Sequence, residues 1–397
     1  MQPTLDHTAR IQIPLTVQSL HAPTSTEWRD WKWQQRHAIT RVEDIQRYFP
    51  GLNRDTLARI GACLQDRKIT VTPYTLNLIE KDASLRPVDD DPVWRQLIPD
   101  WAMDPVAQGL DYDGESENWE LPGEMVTPIC QHKYDNRVIL RLSNVCHAYC
   151  QFCYEALRTL EKESTKSSMR KQDWQATLNY IAGHETLDEV ILSGGEPLMH
   201  SDAHLDTYLG DLRDLRPDLI IRLHTRALTF NPFRITDGLI DILARHNVTA
   251  IGLHVAHPNE ITEEFISAAR RLAKVCPILF ANIPFLQGVN DDYATLVALC
   301  LKLYRNGIQP HYLYQFMPFS PGAPAYRTNI SAALEIVSKM KRRISNIAVP
   351  EYVLPHKTGK YTVPLYLGGE QPTLVQRADG EYLHFTNWQG HACVFPE

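Results

Sequence analysis

The sequence predicts an α/β fold with six parallel strands, arranged either as an incomplete (β/α)6 barrel or as an open doubly wound sheet. Three observations lead there. Short apolar runs recur at 137 (RVILRLS), 188 (DEVILSGG), 219 (LIIRLHT), 248 (VTAIGLHV), 277 (PILFANI) and 309 (QPHYLYQF). After a first gap of 51 residues their starts lie 29 to 32 apart, which leaves room for a helix between neighbours. Several runs are apolar throughout, as strands covered on both faces are. Six units fall short of the eight of a closed barrel.

Taken in order, the chain starts with a charged, aromatic segment. Val42, Ile45, Phe49, Leu57, Ile60 and Leu64 recur there at helical spacing, so residues 1–125 are read as a mainly helical N-terminal region. Its end, LRPVDDDPVWRQLIPDWAMDP, reads as short helices joined by turns. Residues 126–325 form the strand and helix core, in which ITEEFISAARRLAK is a helix burying Ile266, Ala269, Leu272 and Ala273. Residues 326–397 hold one more helix, NISAALEIVSKMKRRI, and a Gly- and Pro-rich tail without repeats.

Composition narrows the function classes. The 397 residues carry 40 Lys plus Arg against 47 Asp plus Glu, a formal charge of -7, so no general attraction to nucleic acid or to an anionic membrane is expected. The first residues, MQPTLDHTARIQIPL, lack a basic stretch followed by an apolar signal core, and no segment reaches the apolar length of a membrane span. A cytoplasmic protein is the expectation.

Of eight cysteines, three crowd into NVCHAYCQFCYEAL, where Cys146, Cys150 and Cys153 follow the first strand. Soft thiolates at this spacing suit an iron-sulfur cluster or zinc. Structural zinc needs four ligands, so His147 or a distant cysteine would have to join; three thiolates suit a four-iron cluster with one iron open to another ligand. After the second strand comes SGGEP, with Ser193, Gly194, Gly195 and Glu196. On residues alone it is a tight turn or a close backbone approach with an acceptor for an ammonium group.

The cysteine spacing, with Phe152 before the last cysteine, resembles the motif of the radical S-adenosylmethionine superfamily, and SGGEP resembles that family's site for the amino group of the cofactor. The resemblance implies a 4Fe-4S cluster held by Cys146, Cys150 and Cys153, with S-adenosylmethionine on the open iron and a low-potential electron donor as partner. It also favours the incomplete barrel. Longer stretches, DWKWQQR, HPNEITEE, GVND and HYLYQF, resemble the lysine 2,3-aminomutase family in matching order from Trp28 to Leu367. Members add pyridoxal 5'-phosphate, whose aldehyde forms an imine with a lysine; here LPHKTGKYTVPL places Lys360 beside Gly359 at that position, with Lys357 as its neighbour. By the same resemblance Lys133, Arg137 and Arg226 hold the phosphate, and His254 and Asn290 lie near S-adenosylmethionine.

The pattern breaks at the substrate. Lysine enzymes of this family carry an arginine, which pairs with the substrate carboxylate, where this chain has Glu155. Their two acids for the distal ammonium match Met317 and Val353. Phe316, Met317 and Val353 are therefore expected to line an apolar pocket, with Asp135 and Glu155 recognising donors. Their C-terminal cysteine cluster for zinc is reduced to Cys393, so no zinc is expected. The resulting expectation is a 2,3-aminomutase of a small-molecule amine or amino acid other than L-lysine. The competing readings are a radical decarboxylase, oxidase or epimerase, and an iron-sulfur protein that binds or modifies a protein partner. A homo-oligomer is compatible with all of them.

Overall fold

The computed structural model describes residues 24–65, 67–100, 121, 123–155, 159, 169–317, 323–367 and 372–396. The expected content of 1–23, of the turn-rich run beyond Asp100 and of the segment after Glu155 lies, apart from these positions, outside the described residues.

The six expected runs form strands β3 (Arg137–Ser143), β4 (Glu189–Gly194), β5 (Ile220–Thr225), β6 (Ala250–His254), β7 (Ile278–Phe285) and β8 (Gln309–Gln315). A seventh, β9 (Glu351–Leu354), continues the series, and β3 through β9 pair in parallel. The antiparallel strands β1 (Met125–Thr127) and β2 (Cys130–Tyr134) extend one edge, and β10 (Tyr361–Thr362) the other. Each strand neighbours its successor, and the two outermost strands do not pair. A doubly wound sheet reverses its strand order at a switch point, and no reversal occurs here, so the sheet is an incomplete barrel.

Helices cover the outer face because each carries an apolar stripe. In Asp202–Leu215 the stripe is Leu205, Leu209 and Leu212; in Tyr293–Arg305 it is Leu296, Leu299, Cys300 and Leu303; in Ile330–Arg343 it includes Ala333, Val337 and Met340. Side chains fix where the crossovers start: Ser201, Thr236, Thr262 and Asp292 each accept a hydrogen bond from the backbone N–H of the third residue on. One expectation is corrected. The helix Glu263–Leu272 buries Phe265, Ile266, Ala269 and Leu272, while Ala273 caps its end and is exposed.

The described N-terminal helices, among them Val42–Tyr48, Arg54–Cys63 and Pro92–Leu97, enclose a second apolar cluster around Ile45, Phe49, Ile60 and Leu97, and Ala148 and Phe230 belong to it. The region therefore packs on the cysteine loop. Two backbone bonds add to this, from Tyr149 N–H to Thr70 O at 3.0 Å and from Gln151 N–H to Gln96 O at 2.8 Å. At the other end the tail is not featureless. Strands β11 (Thr373–Arg377), β12 (Gly380–Thr386) and β13 (Ala392–Phe395) form a small antiparallel sheet whose Leu383, Phe385 and Phe395 join the main core. No described helix is long and apolar enough to cross a membrane.

Candidate active site

The carboxyl ends of the parallel strands open onto a cavity of about 550 Å³. Cys146, Cys150 and Cys153 border one end, in the loop leaving β3, and all three are free thiols. Without a bound cation, burial pushes each thiol up, that of Cys153 to about 12. A bound metal would reverse that balance, because a coordinating thiol is deprotonated outright.

SGGEP braces this loop. Gly194 has φ +112°, and a Cβ there would come within 2.7 Å of the Ser143 carbonyl; a Cβ on Gly195 would meet Val145 O at 2.8 Å. Only glycine allows the two strand ends to lie that close. Gly195 and Glu196 donate their N–H groups to Ser143 O and Val145 O at 2.6 and 2.9 Å. The Glu196 carboxylate is 3% exposed and accepts from Leu198 N–H, the Thr225 hydroxyl and Arg226 N–H. Burial raises its pKa, while those donors stabilise the charged form. Its Oε2 accepts one of these bonds and has room for a second donor.

Arg226 departs from the sequence expectation. Its guanidinium contacts Cys150 Sγ at 2.8 Å, pairs with buried Glu260 at 3.0 Å, donates to Gln96 Oε1 at 2.6 Å, and lies over the rings of Phe152 and Phe230. It is committed to the cysteine end of the cavity. The cation on β5 that faces the other end is Arg222, which pairs with Glu189 at 2.7 Å and keeps its Nε buried without a partner.

Lys360 borders that other end. Its backbone N–H donates to the Tyr134 hydroxyl at 3.1 Å, and its ammonium lies 5.3 and 5.6 Å from the ring centres of Tyr134 and Tyr312. The residue is exposed at the cavity that it lines. Burial, then the charges of Arg137, Arg222 and Lys133, lower its pKa to about 8, which favours the neutral, nucleophilic amine. Arg137 lies over the Tyr134 ring at 4.1 Å, and Lys133 is ion-paired with Glu124 at 2.9 Å. Gly359, at φ +121°, lets the lysine loop turn against Tyr134. Phe385 of β12 packs on His356 and Tyr361 on both sides of that loop.

Other expected residues separate into those that face the cavity and those that do not. Ser193, His254, Phe316 and Met317 line it, and burial pushes His254 down to about 4, leaving a neutral imidazole. Three do not. Asp135 sits exposed in the β2–β3 turn, because the chain reverses there. Val353 is fully buried in β9, its strand placing it in the core. Asn290 is fully buried and spent on the fold: its Oδ1 accepts from Leu286 N–H at 2.8 Å, and its Nδ2 donates to Ala256 O and Pro284 O at 2.8 and 2.7 Å. Truncation in N290A would remove three hydrogen bonds to backbone groups, two of them buried, and is expected to cost about 2–4 kcal/mol in chemical denaturation of cofactor-free protein. An unchanged midpoint would return Asn290 to a ligand role.

Comparison with known proteins decides the family. Residues 140–300 match the Radical SAM superfamily. The L-lysine 2,3-aminomutase of Acetoanaerobium sticklandii is 30% identical over 375 residues, covering 94% of this chain and 85% of that one. The chain belongs to the lysine 2,3-aminomutase family. The enzyme of the same name from Clostridium subterminale is 29% identical over 94% of this chain and 85% of its own. The glutamate 2,3-aminomutase of Clostridioides difficile is 26% identical over 92% of this chain and 82% of its own, so this aminomutase family includes more than one substrate among its named members.

As a radical S-adenosylmethionine protein, the aminomutase relative described here is of the kind that carries a 4Fe-4S cluster and S-adenosylmethionine, and the three free thiols at the cavity end fit such a cluster. Sequence reading of this family member overlooked Arg222 and Arg141. Both carried a signal, since each is a charged residue inside an apolar strand run, and a buried charge demands a partner or a ligand.

Proposed function

We propose that the protein is a radical S-adenosylmethionine, pyridoxal 5'-phosphate-dependent 2,3-aminomutase acting on an amino acid or related amine other than L-lysine. One observation carries the reading: Lys360, with its pKa lowered to about 8, borders the same cavity as Cys146, Cys150 and Cys153. In the proposed site the cysteines hold the cluster, and Ser193, Gly194, Gly195, Glu196 and His254 surround S-adenosylmethionine. Arg137, Arg222 and Lys133 supply the positive charge that a phosphate needs. The unpartnered Arg222 Nε and the neutral-leaning Lys360 amine both fit pyridoxal phosphate. When bound, these groups supply a hydrogen-abstracting radical and a ring that delocalises an unpaired electron.

The chain's own contribution is placement. Tyr134 and Tyr312 flank the Lys360 side chain, the neighbouring cations disfavour its protonation, and the N-terminal helices shield the cysteine loop from solvent. The proposed division into residues 1–125, 126–325 and 326–397 corresponds to cover, cluster site and lysine-bearing segment. Phe316 and Met317 are buried and apolar at the β8 end, a poor setting for the second ammonium of lysine. Anaerobically reconstituted protein, given a low-potential reductant, should convert a responsive amine to a constitutional isomer with its amino group on the neighbouring carbon while forming 5'-deoxyadenosine; an epimer as product would overturn amino migration. Loss of carbon dioxide or of two hydrogens from the product would overturn amino migration in favour of decarboxylation or oxidation.

A further inference from the structure

Two arginines grip the cysteine loop. Arg141, on β3, pairs with the buried Glu155, two residues past Cys153, at 2.9 Å. Arg226, just past β5, reaches a cysteine itself: its Nη1 donates to Cys150 Sγ at 2.8 Å. A cation in contact with a thiol that fits a cluster ligand acts on the cluster as well as on the backbone.

Separate parts of the chain fix Arg226 in that place. Its Nη2 donates to Gln96 Oε1 at 2.6 Å and to Glu260 Oε2 at 3.0 Å. Gln96 belongs to the helix Pro92–Leu97 of the N-terminal region; its Nε2 donates to Glu260 Oε1 at 2.8 Å, and its carbonyl accepts from the N–H of Gln151, next to Cys150, at 2.8 Å. Glu260 is 1% exposed and also accepts from the N–H groups of Ala256 and His257. The backbone N–H of Arg226 donates to Glu196 Oε2 at 2.8 Å, which ties the same residue to SGGEP. The rings of Phe152 and Phe230 lie 5.4 and 4.6 Å from the guanidinium carbon. The guanidinium is thus oriented on Cys150 by protein groups alone.

The electrostatic consequence has a sign. Reduction adds one negative charge to an iron-sulfur cluster, and charge and hydrogen bonds at its sulfurs set the potential. A fixed cation donating to a ligand sulfur stabilises the reduced state more than the oxidised one. Because the N-terminal helices cover this end of the cavity, that charge acts largely through protein, where screening is weakest. Glu260 also acts on Cys150 by its charge, in the opposite sense.

We propose that Arg226 raises the reduction potential of the cluster and positions its Cys150 ligand, with Gln96 and Glu260 holding the guanidinium in place. Arg226 is a positioning residue, and through Gln96 the N-terminal region takes part in setting the potential. The proposal rests on the cluster assignment, and neither pyridoxal phosphate nor an amine enters its test.

Full-length R226Q, R226K and E260Q, each reconstituted with iron and sulfide, are titrated electrochemically beside the unaltered protein without S-adenosylmethionine, and the reduced cluster is followed by electron paramagnetic resonance. In R226Q the oxidised-to-reduced ratio at a fixed potential should rise at least tenfold, a downward midpoint shift of about 59 mV. R226K keeps the charge and should stay nearer the unaltered protein than R226Q does. E260Q leaves Arg226 uncompensated and should move the midpoint upward. A merely structural role would not give shifts of opposite sign. An R226Q midpoint that is unchanged or raised, an R226K midpoint equal to that of R226Q, or an E260Q midpoint that is unchanged or lowered overturns the proposal; if R226Q does not retain iron, E260Q decides by itself. Failure of the cluster assignment shows separately, as missing iron in the unaltered protein before any titration.

Discussion

Replacing Cys146, Cys150 or Cys153 by alanine is expected to abolish reductive cleavage of S-adenosylmethionine, with a fall of more than about a hundredfold in each case. Losing even the partners that orient metal ligands costs about 10–100-fold, and these are the ligands themselves. The cluster needs three thiolates, and no other described cysteine borders the cavity. Cys393 in β13 is the control: it lies in the small C-terminal sheet, and Cys393→Ala should leave iron content and cleavage unchanged. The assay is iron content together with 5'-deoxyadenosine formed under low-potential reduction. Full iron incorporation in all three cavity variants would mean that the thiols are not the cluster's ligands.

Lys360 carries the second large effect. Amines react as the free base, so acylation of Lys360 in cofactor-free protein should rise with pH and reach half its maximum near 8, followed by mass spectrometry of the modified peptide. The sign for the variant follows from its cause. Arg137 lowers the Lys360 pKa by charge repulsion, so R137Q should move the midpoint upward and reduce the reactive fraction at pH 8. A midpoint at the ordinary lysine value of 10.5 would mean that the cavity does not prepare Lys360 for imine chemistry.

How much of this was legible in the sequence depends on which force set each feature. The strands β3 to β8 were readable because burial on both faces demands continuous apolar runs, and parallel pairing demands crossovers of a helix's length. The strand β9 was not: EYVL is four residues between Pro350 and Pro355, too short to carry a period. The tail sheet escaped for a related reason. Strand β11 is largely exposed and β12 buries only Leu383 and Phe385, so neither presents a clear apolar face.

In the site, motif spacing located the cysteines and SGGEP, because both constrain the local backbone. Side-chain direction was harder. Arg222 and Arg226 are four residues apart, but the first lies within β5, alternating with buried Ile221 and Leu223, and so faces inward, whereas the second lies past the strand end and turns to the cysteine loop. Asn290 was expected near S-adenosylmethionine by the family resemblance, and its three hydrogen bonds, to Leu286 and Ala256 in loops and to Pro284 in β7, cannot be read from the sequence. The pairing of Arg141 with Glu155 joins residues on a strand and on the loop after it, a contact that only the turn of the cysteine loop creates.

The central claim is that one cavity joins the cysteine loop to Lys360. It is tested most directly by comparing unaltered protein with K360A, both reconstituted with iron, sulfide and pyridoxal phosphate, for amine-dependent formation of 5'-deoxyadenosine. K360A is expected to retain its full iron content and slow uncoupled cleavage but to lose the stimulation by amine. Equal stimulation in the two proteins would contradict the account.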